Sequence, residues 1–360
     1  MKKHLLVFLL LIVAALAFSS CSLISKPEHK HTFGKWETVK EAACEKEGKQ
    51  ERECECGETE TEVIDAKEHI PGVWATTKDA TKTENGLKEQ ACMVCGKVLA
   101  TETIPALGSS GFKVRDNNDG TCAITGIGTC TDADVVIPAT YEGKTVTSIE
   151  YRAFYGVNNI TSVVIPDGVT SIGESAFEDC QSLTSVVIPD SVTVICRDAF
   201  GGCKALASVV IPDSVMSIGD YAFSGCQAMT SITIGKNVAS IGDFAFHGCK
   251  ALASIVIPDS VTSIGTWAFN ECHGLTSVTI GSGVTRIDNN TFTGCKNMKS
   301  VVIPGSVTSI GSFAFSGCIA VTSIEFGGTT VQWNAISFGT GWISSYAYYT
   351  VNCVDGTVTK

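Results

Sequence analysis

The chain has 360 residues, 44% of them hydrophobic, and a formal net charge of -11, which is length enough for two or three domains. That acidic balance leaves no basic stripe to displace counterions, so nucleic acid is excluded as a partner. Charge is spread unevenly: residues 22–107 carry 29 charged side chains in 86 positions and residues 133–326 only 25 in 194, so the chain changes character near residue 108.

At the start, Met1-Lys2-Lys3 precedes an apolar run from Leu5 to Phe18 and then Ser19-Ser20-Cys21. Such a run suits the core of a secretory signal and is short for a bilayer span. Small residues directly before a cysteine resemble the bacterial lipobox, with Phe18 in the place of the usual leucine. The resemblance implies removal of residues 1–20, lipidation of Cys21 and a tether over residues 21–30. Each buried CH₂ contributes ~0.8 kcal/mol, so several acyl chains anchor where one does not. The alternative is an ordinary secretory signal cut elsewhere; either way the mature protein leaves the cytoplasm, and on the lipobox reading it stays on a membrane.

Residues 31–106 hold a weak duplication. Trp36, Gly48 and Cys54 return as Trp74, Gly86 and Cys92, each 38 positions on, and Cys92-x-x-Cys95-Gly96 closes the second copy. That knuckle is half a zinc site, with His69 in reach, but zinc takes four ligands. Lys82 stands where the first copy has Cys44, and the first copy has only Cys54-x-Cys56. Outside the cytoplasm, disulfides or a vestigial site are the simpler reading. No metal or other cofactor is therefore expected, and the two modules read as a spacer. They resemble short cysteine-containing modules that precede repeat arrays in gut and oral bacterial surface proteins.

Residues 107–132 read as a strand hairpin that forms an N-terminal cap, with Cys122 and Cys130 a candidate disulfide. From residue 133 to 326 the chain is periodic. Phe177, Phe200, Phe223, Phe246, Phe269, Phe292 and Phe315 recur every 23 residues, and Cys180, Cys203, Cys226, Cys249, Cys272, Cys295 and Cys318 recur three positions later. Pro166, Pro189, Pro212, Pro258 and Pro304 share another column, with Gly235 and Gly281 in its gaps. In one unit Val209 and Ile211 point one way from a short strand, and Ser208 and Val210 the other. Proline ends the strand, Val215 and Ile218 lie on the far side, and Ala222-Phe223 closes the loop in a short helical turn. No single unit can bury Leu206, Val209, Ile211, Val215, Ile218 and Phe223; stacked units bury them as ladders, which predicts a solenoid.

This pattern closely resembles the BspA-like leucine-rich repeat, the 23-residue class also called the Treponema type. The resemblance implies a right-handed, strand-dominated superhelix with short helical turns, preceded here by the small cysteine-containing module. Val135–Pro138 and Tyr141–Thr145 resemble the family's longer first repeat. Residues 327–360, with Trp333, Trp342 and Cys353, resemble its C-terminal cap. Val157 replaces the ladder cysteine in the first full unit; Asp288 and Thr291 replace a glycine and an alanine in a later one. The seven ladder cysteines run parallel and are odd in number, so they read as buried thiols rather than disulfides. Cys196, in the glycine column, and Cys353 have no assigned partner.

The resemblance further implies a bacterial surface protein that attaches to host-matrix proteins or to other bacteria; a monomer is expected. Two surfaces are candidates. The first is the strand row, expected on the concave face: Ser185, Val187, Ser208, Val210, Ser231, Thr233, Ser254, Val256, Ser277 and Thr279 project outward as a nearly uncharged strip. The second is lateral, where Tyr221, Phe244 and Trp267 occupy one column in consecutive units and aromatics favour binding hot spots. The alternative is a structural or antigenic spacer with no fixed ligand, its strip set by strand propensity and repeat duplication and its aromatics shielding the turns. Catalysis is not expected. His247 and His273 lie in different columns, no recognised catalytic motif appears, and uniform repeats do not build one unlike constellation at one place.

Overall fold

The structure, a computed structural model, describes residues 32–81, 84–104, 107–344 and 348–359; Cys21 and the signal segment lie outside the described residues. The chain divides into two compact units, one running to Val73 and including Gln90–Leu99, the other comprising Trp74–Glu89 and the chain from Ala100. The division thus falls within the second copy of the cysteine module and not at the change in charge density. Strands β1 (Glu37–Lys40), β2 (Gly48–Glu53) and β3 (Thr59–Ile64) form an antiparallel sheet, and β4 (Pro71–Lys78), β5 (Gly86–Cys92) and β6 (Val98–Ile104) form another. Each copy of the duplication is therefore one small sheet.

The second unit begins its stack with an antiparallel pair, β7 (Lys113–Asp116) and β8 (Thr121–Gly126). Strand β8 then pairs in parallel with Lys144–Ile149, the first of a row that continues through Ser171–Ile172, Val194–Ile195, Ser217–Ile218, Ser240–Ile241 and Ser263–Ile264. A second row runs in parallel from Asp134–Val136 through Ser162–Val164, Ser185–Val187, Ser208–Val210 and Ser231–Thr233, and resumes at Ser254–Ile257. From Ser162 to Thr279 the register is constant: serine pairs with serine, the inward valines pair with valine or isoleucine, and the outward valines pair with valine or threonine. The 23-residue period therefore sets the strand pairing, as a strand-dominated leucine-rich-repeat solenoid requires.

Turns between the rows do not depend on the proline itself. Val215 donates its N–H to the Pro212 carbonyl at 3.1 Å, and Val238 makes the same bond to Gly235 at 3.2 Å. Where Ala222-Phe223 was expected in a short helical turn, the chain instead makes successive tight turns. Tyr221, Phe244, Trp267 and Phe313 all have φ between 56° and 63°, a left-handed conformation that interrupts a helix. The phenylalanine amides also bond outward: Phe200 to the Ala222 carbonyl and Phe223 to the Ala245 carbonyl, both at 2.8 Å. Each unit spends that donor on its neighbour, which leaves it unavailable to a helix. Among the described residues the α-helix is Thr330–Asn334, started by a Thr329/Gln332 capping box.

Packing follows the columns. Phe154 through Phe315 stack face to face, with ring centroids 4.8–5.5 Å apart and every ring 0–1% exposed. Both ends of the stack are closed by a perpendicular ring, Phe112 at 6.0 Å and Trp342 at 6.2 Å. Each buried phenylalanine contributes roughly 1.5–3 kcal/mol by burial alone. The ladder thiols are more than filler. Cys203 donates to the Phe177 carbonyl at 3.1 Å, Cys226 to Phe200 at 3.3 Å and Cys249 to Phe223 at 3.3 Å. Each thiol thus ties its unit to the one before.

Cys122 and Cys130, read from sequence as a disulfide, are separate buried thiols. Cys122 sits inside β8 with its thiol 3.7 Å from the Lys144 carbonyl, whereas Cys130 lies in a turn closed by its N–H on Ile127. One is fixed by the strand row and the other by the turn beyond it.

Candidate ligand-binding surface

The outward columns of the longer row are where strand alternation places them. Val187, Val210 and Val256 are 56%, 65% and 65% exposed, while Val186, Val209 and Ile255 between them are buried. Ser185, Ser208, Ser231, Thr233, Ser254 and Thr279 are exposed and Ser277 is half-buried. Because register is constant, equivalent side chains sit about one strand spacing apart, ~4.8 Å. The face is therefore a regular lattice of hydroxyls and methyls.

Charge enters only at its ends. Asp134, in the first strand, accepts from Ser162 Oγ at 2.6 Å and Thr161 Oγ1 at 3.0 Å. Glu325, near the other end, accepts from Ser323 Oγ and Asn352 Nδ2, both at 2.6 Å, and those hydrogen bonds hold its carboxyl below the usual range. Toward the Asp134 end the face deepens into a groove of about 470 Å³ lined by Val136, Pro138, Val164, Pro166, Val187 and Pro189. Sequence reasoning missed this groove. Its prolines were read as strand ends, and their alignment as a wall depends on the stacking.

The lateral aromatics are brought together as a stack. Tyr221 and Phe244 lie 4.8 Å apart and 3° from parallel, Phe244 and Trp267 6.0 Å apart and 9° from parallel. The Arg197 guanidinium lies 5.2 Å from the Tyr221 ring, a cation–π contact that covers its outer face. Tyr221 and Phe244 are only half-buried, yet their faces are occupied by each other and by Arg197. What these two rings offer to solvent is their edges, so neither presents an open face on which a sugar could stack. Stacking and shielding of the turns account for this column, and the strand face is the stronger candidate.

In the N-terminal unit Cys92, Cys95 and His69 lie together, as their spacing suggested. Cys44, which aligned with Lys82 when the copies were compared, joins them.

Residues 137–243 and 216–340 match the BspA type leucine rich repeat region, in 6 copies. Similar solved structures include a leucine rich cell surface protein from Faecalibacterium prausnitzii, 25% identical over 64% of this chain and 97% of that one, with a TM-score of 0.39. A leucine rich repeat protein from T. pallidum is 27% identical over 59% of this chain and 88% of its own, TM-score 0.44. One from Bacteroides ovatus is 27% identical over 61% and 84%, TM-score 0.29. No curated protein matches the chain.

Proposed function

This chain belongs to the BspA-type leucine-rich-repeat family, and on that premise we propose that it is a lipid-anchored bacterial surface protein that binds an extracellular protein through the serine–valine–threonine face. One observation carries the reading: three valines more than half exposed, on a face with no charged side chain between Asp134 and Glu325. Contiguous exposed apolar surface of this kind is costly to leave bare and is enriched at protein interaction sites. A long strip of repeated hydroxyls and methyls suits a protein partner better than a small molecule, which needs a concave pocket with a few convergent polar groups. The groove beside Val164 and Val187 offers a place for one anchoring side chain of that partner.

Anchoring rests on Cys21 and its lipobox resemblance. Among the described residues no helix is long and apolar enough to cross a membrane. The test is attachment of the chain to a panel of immobilised extracellular-matrix proteins and to whole cells of other bacteria, with V187K/V210K/V256K alongside. Attachment that drops at least tenfold in the variant supports the reading. Attachment that the lysines leave unchanged removes the face from it, and no attachment by either chain favours a spacer.

A further inference from the structure

We propose that Cys44, His69, Cys92 and Cys95 form a four-ligand structural zinc site that joins the two copies of the N-terminal duplication. Their four donor atoms all lie within 4.8 Å of one another. Cys44 Sγ is 3.7 Å from Cys92 Sγ, and Cys95 Sγ is 3.4 Å from His69 Nδ1. A tetrahedral zinc with Zn–S near 2.3 Å and Zn–N near 2.0 Å sets its sulfurs about 3.8 Å apart and sulfur to nitrogen about 3.5 Å. Both close pairs fit that geometry. A disulfide needs sulfurs ~2.05 Å apart, and three sulfurs cannot all pair.

The backbone holds the ligands from three directions. Cys44 follows β1 at a bridge to Lys67, and the Glu45 N–H donates to the Lys67 carbonyl, which sets the thiol beside the loop that carries His69. Met93 donates to the Ile70 carbonyl at 2.9 Å and ties the Cys92–Cys95 knuckle to that same loop. The knuckle is closed by Cys92 N–H on Lys97 and Gly96 N–H on Cys92. Gly96 takes φ +74, a conformation in which glycine carries no steric cost. The Val94 N–H points at Cys92 Sγ from 3.4 Å.

The surroundings of the histidine select its ligand atom. His69 Nε2 faces Glu45 Oε1 at 3.0 Å, and Lys97 pairs with the same oxygen. Nε2 is buried without an aligned hydrogen-bond acceptor; the nearby carboxylate favours a proton there, which leaves the Nδ1 lone pair toward the sulfurs, and a reorientation of Glu45 would complete the carboxylate–histidine–metal arrangement that orients ligands in known sites. Three thiolates and an imidazole suit zinc rather than a hard cation. Four protein ligands leave no open position, so the role is structural. On binding, the three thiols give up their protons to solvent.

The experiment titrates Co²⁺ and then Zn²⁺ into the full chain, purified under reducing conditions. The expected result is one cobalt per chain, a thiolate-to-cobalt charge-transfer band with tetrahedral d–d absorption, and its loss when zinc is added. Cys44→Ser removes that band, whereas Cys56→Ser, outside the cluster, keeps it. Glu45→Gln keeps the stoichiometry and weakens zinc affinity by roughly 10–100-fold, which separates metal binding from a folding defect. Three results overturn the proposal: no bound metal, a cobalt spectrum that Cys44→Ser leaves intact, or a Cys44–Cys92 disulfide in protein offered metal before exposure to air.

Discussion

In the solenoid every unit sends a phenylalanine, an isoleucine and a small aliphatic column into one continuous core, and those side chains are almost wholly removed from water. In the N-terminal unit the strands are nearly bare: every residue of β1 is exposed, and β3 is exposed except for Ile64. The buried apolar side chains of that unit, among the described residues, are Ala42, Cys44, Cys54 and Cys92. Three of the four are cysteines. A segment this small cannot offset its chain entropy with so little burial, and such segments stand on disulfides or metals. One part of the molecule is held by repetition, the other by a few sulfur atoms.

The largest effect expected from that contrast is selective melting. Structural zinc contributes on the order of 10 kcal/mol to small domains that fold around it. A chelator added to the zinc-loaded chain should therefore abolish hydrogen-exchange protection in Gly48–Glu53 while Ser208–Val210 stays protected. Protection lost equally in both segments, or in neither, contradicts the division.

Next in size is the phenylalanine stack. Phe223→Ala should cost about 3–5 kcal/mol, because the ring has a parallel neighbour on each side, at 5.3 and 5.5 Å. Phe112→Ala should cost less, because that ring closes the end of the stack with no parallel neighbour, only the edge-on Phe154 at 6.0 Å and the tilted Tyr141 at 6.5 Å. Urea denaturation of the two variants measures the difference, and equal losses would mean that the stack is not cooperative along its length.

A smaller effect comes from the thiol ladder. Burial pushes the Cys180 thiol up to about 12, and its neighbours Cys203 to Cys295 are raised well above the ordinary value. A thiol whose folded pKa is raised stabilises fully below the unfolded value near 9, and that contribution is lost as pH climbs toward the folded one. Thermal stability of the solenoid should hold from pH 7 to 8.5 and fall above about 9, and C203A/C226A should flatten the fall. A fall of equal slope in the variant would assign it to other groups.

The sequence revealed most of the solenoid because its information is periodic: Phe177, Cys180 and Pro166 each recur, and a column is read without knowing its contacts. Alternation likewise placed Val187 outward and Val186 inward. The left-handed column was half visible. Ser175, Asp198 and Asn290 share it with Tyr221 and Phe244, and Asp and Asn favour that conformation, but the aromatics concealed it. The metal cluster was legible only in part: Cys92, Cys95 and His69 could be named from their spacing, but Cys44 could not, because the ligands are not periodic. Cys44 lies 48 residues from Cys92, and aligning the copies set it against Lys82 when its real companions are His69 and the second copy's knuckle. A CxxCG knuckle with only one nearby histidine was the signal; the fourth ligand required a fold.

The smallest expected change in stability belongs to the surface on which function is proposed. Val187, Val210 and Val256 are among the apolar side chains that the solenoid does not use: their neighbours in the chain are buried and they are not. Exposed substitutions away from caps and special backbone positions usually shift stability by about 0.5 kcal/mol or less; none of the three has a positive φ, and the bond that Ile165 N–H donates to the Val187 carbonyl at 3.2 Å is a backbone one that a change of side chain leaves in place. Each single valine-to-lysine change should leave the urea midpoint within that range, whereas Val186→Lys, one position earlier, should unfold the unit, since it places an unpaired charge in the core. If Val187→Lys destabilised as much as Val186→Lys, the face would be part of the packing and the attachment experiment would report folding. If it does not, lost attachment reports the surface, and the contrast between what the repeats bury and what they leave bare becomes a functional one.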